Sequence, residues 1–161
     1  MARGSSLPNS VTLRNNIHIF GPPDAPPILF AHGYGCDQSM WRLVTPAFLD
    51  SYKVVLFDHV GFGNSDVSAF DPAKYASLEN YADDVLEICS ELRLENVIFV
   101  GHSVSSMIGA LASIKAPDLF DKLILIGPSP RYINDGDYVG GFTRADIDGL
   151  MNFLDMDFLG V

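Results

Sequence analysis

Four short apolar runs recur along the chain: Ile28-Leu29-Phe30-Ala31, Val54-Val55-Leu56-Phe57, Val97-Ile98-Phe99-Val100 and Leu123-Ile124-Leu125-Ile126. Each has strand length and lacks polar alternation, the pattern of a strand buried on both faces. Between the runs the period changes. Leu78, Tyr81, Ala82, Val85, Ile88, Cys89 and Leu92 recur at three- and four-residue steps and predict an amphipathic helix over 78–92. Met40, Trp41, Val44 and Phe48 have helical spacing within 38–49, and a further helix is expected over 103–114. Strands alternating with helices predict the α/β class: a mainly parallel sheet with helices on both faces.

The flanks are less regular. Asn16 to Phe20 alternates weakly and reads as an early strand. The segment GPPDAPP at 21–27 is a rigid turn, because its prolines exclude a helix. Residues 1–10 are polar, are expected to be disordered, and lack the apolar centre of a signal peptide. After Gly127, PSPRYINDGDYVGG reads as loop. Thr143 then opens a helix with Asp146 as a box-like cap and Ile147, Leu150, Leu154 and Phe158 as its apolar stripe. The sequence stops at Val161 with no closing strand, so the sheet is expected to be truncated before its last strands.

Composition narrows the class. With 161 residues, 48% of them hydrophobic, the chain can bury a core; its charged fraction of 19% lies below the ~25% usual for soluble domains. A net charge of −10 repels phosphate backbones and anionic bilayers, which argues against nucleic-acid and membrane partners. No apolar run approaches the ~18 residues of a membrane span. Cys36 and Cys89 are too few for a disulfide framework and have no metal-type spacing, so free thiols in a reducing cytoplasm are expected. No metal or cofactor is implied.

The chemistry-bearing stretch is Gly101-His102-Ser103-Val104-Ser105, which fits G-x-S-x-G except that serine takes the last place. It follows a predicted strand and precedes a predicted helix, where a tight turn displays the serine hydroxyl. Ser103 is therefore the candidate nucleophile. The residues two before and two after must be small, because strand and helix pass closely there. One oxyanion donor is expected from Val104 N–H. The other is expected from Tyr34 N–H, in the His32-Gly33-Tyr34-Gly35 turn after the first run. His32, His102 and Phe142 are candidate pocket residues; His102 has a packing role as its alternative. In FDHVGFGNSD, Gly61 and Gly63 give G-x-G without a third glycine, and no G-K-[ST] exists. Asp58, Gly61, Gly63 and Ser65 thus read as a structural turn rather than a nucleotide site.

Together AHGYG, LFDHVGFGNSD, GHSVSSMIG and LILIGPSPRYIND resemble the α/β-hydrolase superfamily. GCDQSMW, GHSV and the run from GPSPRYIND into GGF resemble more narrowly its RsbQ-type branch, which includes a bacterial energy-stress regulator and the plant karrikin and strigolactone receptors. The resemblance implies a core over 11–128 and the start of a lid subdomain over 129–161. It also implies a small apolar ester or lactone as ligand, and a protein signalling partner. In this fold the acid and base follow the serine, in the order Ser, Asp, His. Here His18, His32 and His59 precede Ser103 and no histidine follows it; Asp135 and Asp137 follow the next strand but have no histidine to orient. The triad Asp and His are thus absent, and the isolated chain is expected to be a negligible esterase. The alternative reading is a non-catalytic ligand-binding or sensor protein using the same pocket.

Overall fold

A computed structural model of the chain describes residues 10–157. The backbone forms two compact units, one up to Pro128 and the other from Ser129 on. In the first, five strands form one sheet: β1 (His18–Phe20), β2 (Pro27–Ala31), β3 (Lys53–Leu56), β4 (Val97–His102) and β5 (Phe120–Ile126), in the order β1-β3-β2-β4-β5. β1 runs antiparallel to β3; all other pairs are parallel. The four apolar runs are β2 to β5, as their lack of alternation predicts.

The chain enters through a short helix, α1 (Val11–Arg14), capped by Ser10, whose side chain accepts from Leu13 N–H. Residues 1–9 of the start expected to be disordered lie outside the described residues. The main helices are α2 (Leu78–Glu91) and α3 (Val104–Lys115). Ser77 caps α2 by accepting from Glu79 N–H. Ala82, Val85, Ile88 and Cys89 of α2 and Ile108 and Ala112 of α3 pack with Leu29, Val55 and Phe99 on one sheet face. Burying each large side chain of this set contributes roughly 1.5–3 kcal/mol.

The other face is covered differently from expectation. Residues 38–49 are not one helix but two 3-10 turns, Gln38–Trp41 and Thr45–Ala47. Pro46 has no N–H to continue an α-helical ladder, and the Thr45 hydroxyl takes the Trp41 carbonyl at 3.2 Å. The apolar spacing is still used: Trp41, Met40 and Phe48 pack on Ile28, Phe30, Val54, Leu56 and Val100. This cover thins towards β5, where Ile124 and Ile126, in register with Val100 and His102, are 44% and 42% exposed. Among the described residues β5 has a strand neighbour on one side only.

The second unit contains the segment 129–143 and helix α4 (Arg144–Asp157). Two isolated bridges, Ile133 with Phe142 and Asp135 with Tyr138, shape the loop, and Asn134 Oδ1 accepts from Gly140 and Gly141 N–H. The expected capping box is formed: Thr143 N–H donates to Asp146 Oδ2 at 2.8 Å and Asp146 N–H donates to Thr143 Oγ1 at 3.2 Å. Phe158 of the expected stripe lies outside the described residues. No helix among the described residues is long and apolar enough to cross a membrane.

Candidate functional site

β4 ends at His102 and α3 begins at Val104, so Ser103 alone makes the corner. Its backbone sits at φ 54°, ψ −119°, a conformation that costs a residue with a side chain on the order of 1–3 kcal/mol. The surroundings hold it there. Ser103 N–H donates to the Ile126 carbonyl at 2.8 Å, and Ser106 N–H returns to the Ser103 carbonyl at 2.9 Å. The Ser106 hydroxyl donates to the Gly101 carbonyl at 2.8 Å. A Cβ on Gly101 would stand 2.5 Å from the Ser105 carbonyl oxygen, so strand and helix can approach this closely only with glycine there.

The turn after β2 lies beside this corner. A Cβ on Gly33 would come within 3.4 Å of Ser103 Cβ. Among the described residues neither Tyr34 N–H nor Val104 N–H donates to a backbone carbonyl; Val104 is in the first turn of α3, where no carbonyl lies one turn back. Gly33, Tyr34 and Val104 line a cavity of about 210 Å³. His32 and His59 form its polar wall, and Phe62, Tyr75, Leu78, Tyr81 and Ile108 its apolar and aromatic wall. The Tyr34 and Phe62 rings meet edge to face at 5.5 Å, as do His59 and Tyr81.

The two cavity histidines are engaged in structure. His32 Nδ1 bonds the Gly33 carbonyl at 2.8 Å, while His32 Nε2 accepts from His59 N–H at 3.0 Å. His59 Nε2 lies 2.8 Å from Ser105 Oγ, which donates to the His32 carbonyl. Burial pushes His59 down to about 3, with His32 adding to the effect. Burial likewise lowers His32, against the hydrogen bond to Gly33 and the charges of Asp58 and Asp37. Burial is also the main cause that pushes the Tyr81 hydroxyl up to about 12. These imidazoles are neutral at pH 7.

Of the expected site residues, Tyr34, Val104 and His32 line this cavity; Ser103 adjoins it through Val104 and Gly33 but is not among the lining residues. His102 is not in the cavity wall; its ring packs against Gly33, and its Nδ1 is buried with no hydrogen-bond partner. Phe142 belongs to the second unit, as do Asp135, which pairs with Arg131 at 2.9 Å, and Asp137. The Asp58 turn is structural as expected: its buried carboxylate accepts from Gln38 N–H, Asn16 Nδ2 and Asn64 N–H at 2.8–2.9 Å. What sequence reasoning missed is His59 and its link to Ser105. The signal was the departure from the motif, since a hydroxyl buried where strand meets helix must find a partner.

The model of the alpha/beta hydrolase fold family matches residues 26–156. The chain belongs to the α/β-hydrolase family. It is 46% identical over 144 residues to a protein named strigolactone esterase D14 from Arabidopsis thaliana, covering 89% of this chain and 53% of that protein. It is 48% identical over 136 residues to the karrikin insensitive 2 receptor CA of Petunia hybrida, covering 84% and 50%. The structure of olei00960, a hydrolase from Oleispira antarctica, superposes with a TM-score of 0.87 at 45% identity over 94% of this chain and 56% of that one. This α/β-hydrolase chain spans about half the length of the curated relatives it matches.

Proposed function

We propose that this chain carries the nucleophile side of a serine hydrolase for small hydrophobic esters or lactones, with Ser103 as nucleophile and the N–H groups of Tyr34 and Val104 as oxyanion donors. The observation that carries the reading is the Ser103 corner: a strained residue next to Val104 and beside the Tyr34 turn, two residues whose N–H groups make no backbone hydrogen bond among the described residues, at the edge of a small aromatic cavity. In the reaction Ser103 Oγ bonds to the acyl carbon while the carbonyl electron pair moves onto oxygen, and the two amides stabilise that charge. The C–O bond to the alcohol then breaks, leaving an acyl-serine for water to hydrolyse. The serine proton needs a base. His32 and His59 are held by other bonds, and the sequence has no histidine after Ser103. This chain supplies no acid and base pair for Ser103, and by itself it is a negligible esterase.

A second reading is a ligand sensor in which the same cavity binds a lactone and residues 129–161 begin a lid that meets a protein partner. It is favoured by the receptor and strigolactone-esterase names among the relatives. Both readings place the protein in the cytoplasm, and they part at Ser103. The test is to treat the full product of the reading frame with a fluorophosphonate and locate the adduct by mass spectrometry. A Ser103 adduct that disappears in Ser103→Ala, with ester hydrolysis lost alongside it, is the expected result. Labelling elsewhere, or hydrolysis that survives Ser103→Ala, overturns the hydrolase reading.

A further inference from the structure

We infer that Ser105 and His59 are positioning residues that set the Tyr34 and Val104 amides relative to each other; the catalytic consequence rests on the hydrolase reading above. The argument is one of proton counting. Ser105 Oγ has a single proton and donates it to the His32 carbonyl, which can only accept. The contact with His59 Nε2 at 2.8 Å is therefore closed by a proton on that nitrogen, so His59 is the neutral Nε2–H tautomer. His59 N–H in turn donates to His32 Nε2, which leaves the His32 proton on Nδ1, donating to the Gly33 carbonyl.

That last bond aims an amide. The Gly33 carbonyl and Tyr34 N–H belong to one planar trans peptide and point in opposite directions, so fixing the carbonyl fixes the N–H. At the other end Ser105 directly follows Val104 in the first turn of α3. One hydroxyl thus joins the helix turn that presents Val104 N–H to the segment that presents Tyr34 N–H. His32, His59 and Ser105 are all buried, so water does not compete for these bonds. The glycine that the motif calls for at position 105 has no hydroxyl to make this link, so restoring the motif removes the link.

The test uses the full product of the reading frame and 4-nitrophenyl acetate. Ser105→Gly and His59→Leu are expected to lower kcat by roughly 10–10²-fold with KM within about twofold, the size of effect that misplacement near 1 Å produces. His59→Gln, whose amide N–H can donate to Ser105 Oγ, is expected to restore most of the loss. A filler role predicts instead that kcat holds in Ser105→Gly and that Gln and Leu at position 59 behave alike; either result overturns the proposal. A second readout needs no turnover. In the chain itself, nitrogen-15 NMR should find the His59 proton on Nε2, slowly exchanging, and Ser105→Gly should release it and shift the Tyr34 and Val104 amides. A proton on Nδ1, or unmoved amides, overturns the proposal even where Ser103→Ala has upheld the hydrolase reading. If Ser103→Ala leaves hydrolysis intact, the hydrolase reading falls and NMR alone judges the link.

Discussion

Gly33 lies against His102 with no room between them: a Cβ on Gly33 would stand 2.7 Å from His102 Nδ1. The imidazole is partly buried, under the turn that presents Tyr34 and next to the strained Ser103. Gly33→Ala therefore moves either the turn or the ring, and both moves disturb the serine corner. The expected outcome is a loss of about 1–3 kcal/mol in urea unfolding, the usual effect of overpacking. In the full reading-frame product, fluorophosphonate labelling of Ser103 should fall by at least about tenfold, consistent with a displaced oxyanion donor. Unchanged labelling would show that the turn is not coupled to the nucleophile.

Two helical glycines should respond in opposite directions to alanine. An exposed helix interior usually gains about 0.8–1 kcal/mol from Gly→Ala. At Gly149 of α4 nothing lies within 4 Å of an added Cβ, so the gain is expected. At Gly109 of α3 the Cβ would stand 2.3 Å from Phe99 Cε1, in the packed core. Gly109→Ala should instead cost about 1–3 kcal/mol. Chemical denaturation of the two variants checks both signs, and a stabilised Gly109→Ala would contradict the close helix–sheet approach at the serine corner.

How far the sequence carried the fold can be seen at particular residues. The runs at 28–31, 54–57, 97–100 and 123–126 were legible because short unbroken apolar runs of strand length alternate with longer helical patterns, although the last run is half-exposed here rather than covered on both faces. The 38–49 segment misled because apolar spacing reports which side chains face the sheet, not which hydrogen bonds the backbone makes. Trp41 and Phe48 do face the core, but Pro46 and the Thr45 hydroxyl break the ladder. At the site, the Ser103 corner and the turn that carries His32 and Tyr34 were legible as turns, through motifs whose spacing is imposed by backbone geometry, while the catalytic roles of these residues belong to the proposal above. The role of His59 was not, since it depends on a contact to Ser105 across 46 positions that no local pattern encodes.

Buried neutral histidines make stability depend on pH. His59 is lowered from 6.5 to about 3 in the folded protein, and His32 is lowered too. Below 6.5 the unfolded chain takes up protons that the folded chain refuses, so stability rises with pH and is lost as pH falls. The window opens near 6.5 and extends towards 3. His59 contributes up to roughly 1.4 kcal/mol per pH unit inside it, and His32 adds in the same direction. Urea unfolding at pH 7, 6 and 5 should show the decline, and His59→Gln should flatten it. A slope that His59→Gln leaves unaltered would mean that other groups govern the acid limb.

The buried carboxylate of Asp84 ties Tyr75 of the cavity wall to Arg14 of the entrance helix. The side chain is 1% exposed, accepts hydrogen bonds from Tyr75 Oη at 2.8 Å and Lys74 Nζ at 3.2 Å, and forms an ion pair with Arg14 Nη2 at 3.2 Å. Arg14, itself 14% exposed, reaches Glu87 at 2.7 Å with its other terminal nitrogen. Removing the carboxylate leaves two cations and a phenol without their shared acceptor, and breaking a buried pair in this way costs about 3–5 kcal/mol. Asp84→Ala should approach that loss. Tyr75→Phe removes the hydrogen bond donated to the charged acceptor, and with it the one accepted from Lys74 Nζ at 3.2 Å, and should cost about 1.5–3 kcal/mol. The two effects should not add, because the Tyr75 hydroxyl loses its acceptor in either case. A double-mutant cycle in urea checks this: a coupling energy near zero would mean that Tyr75 and Asp84 do not share a bond in solution.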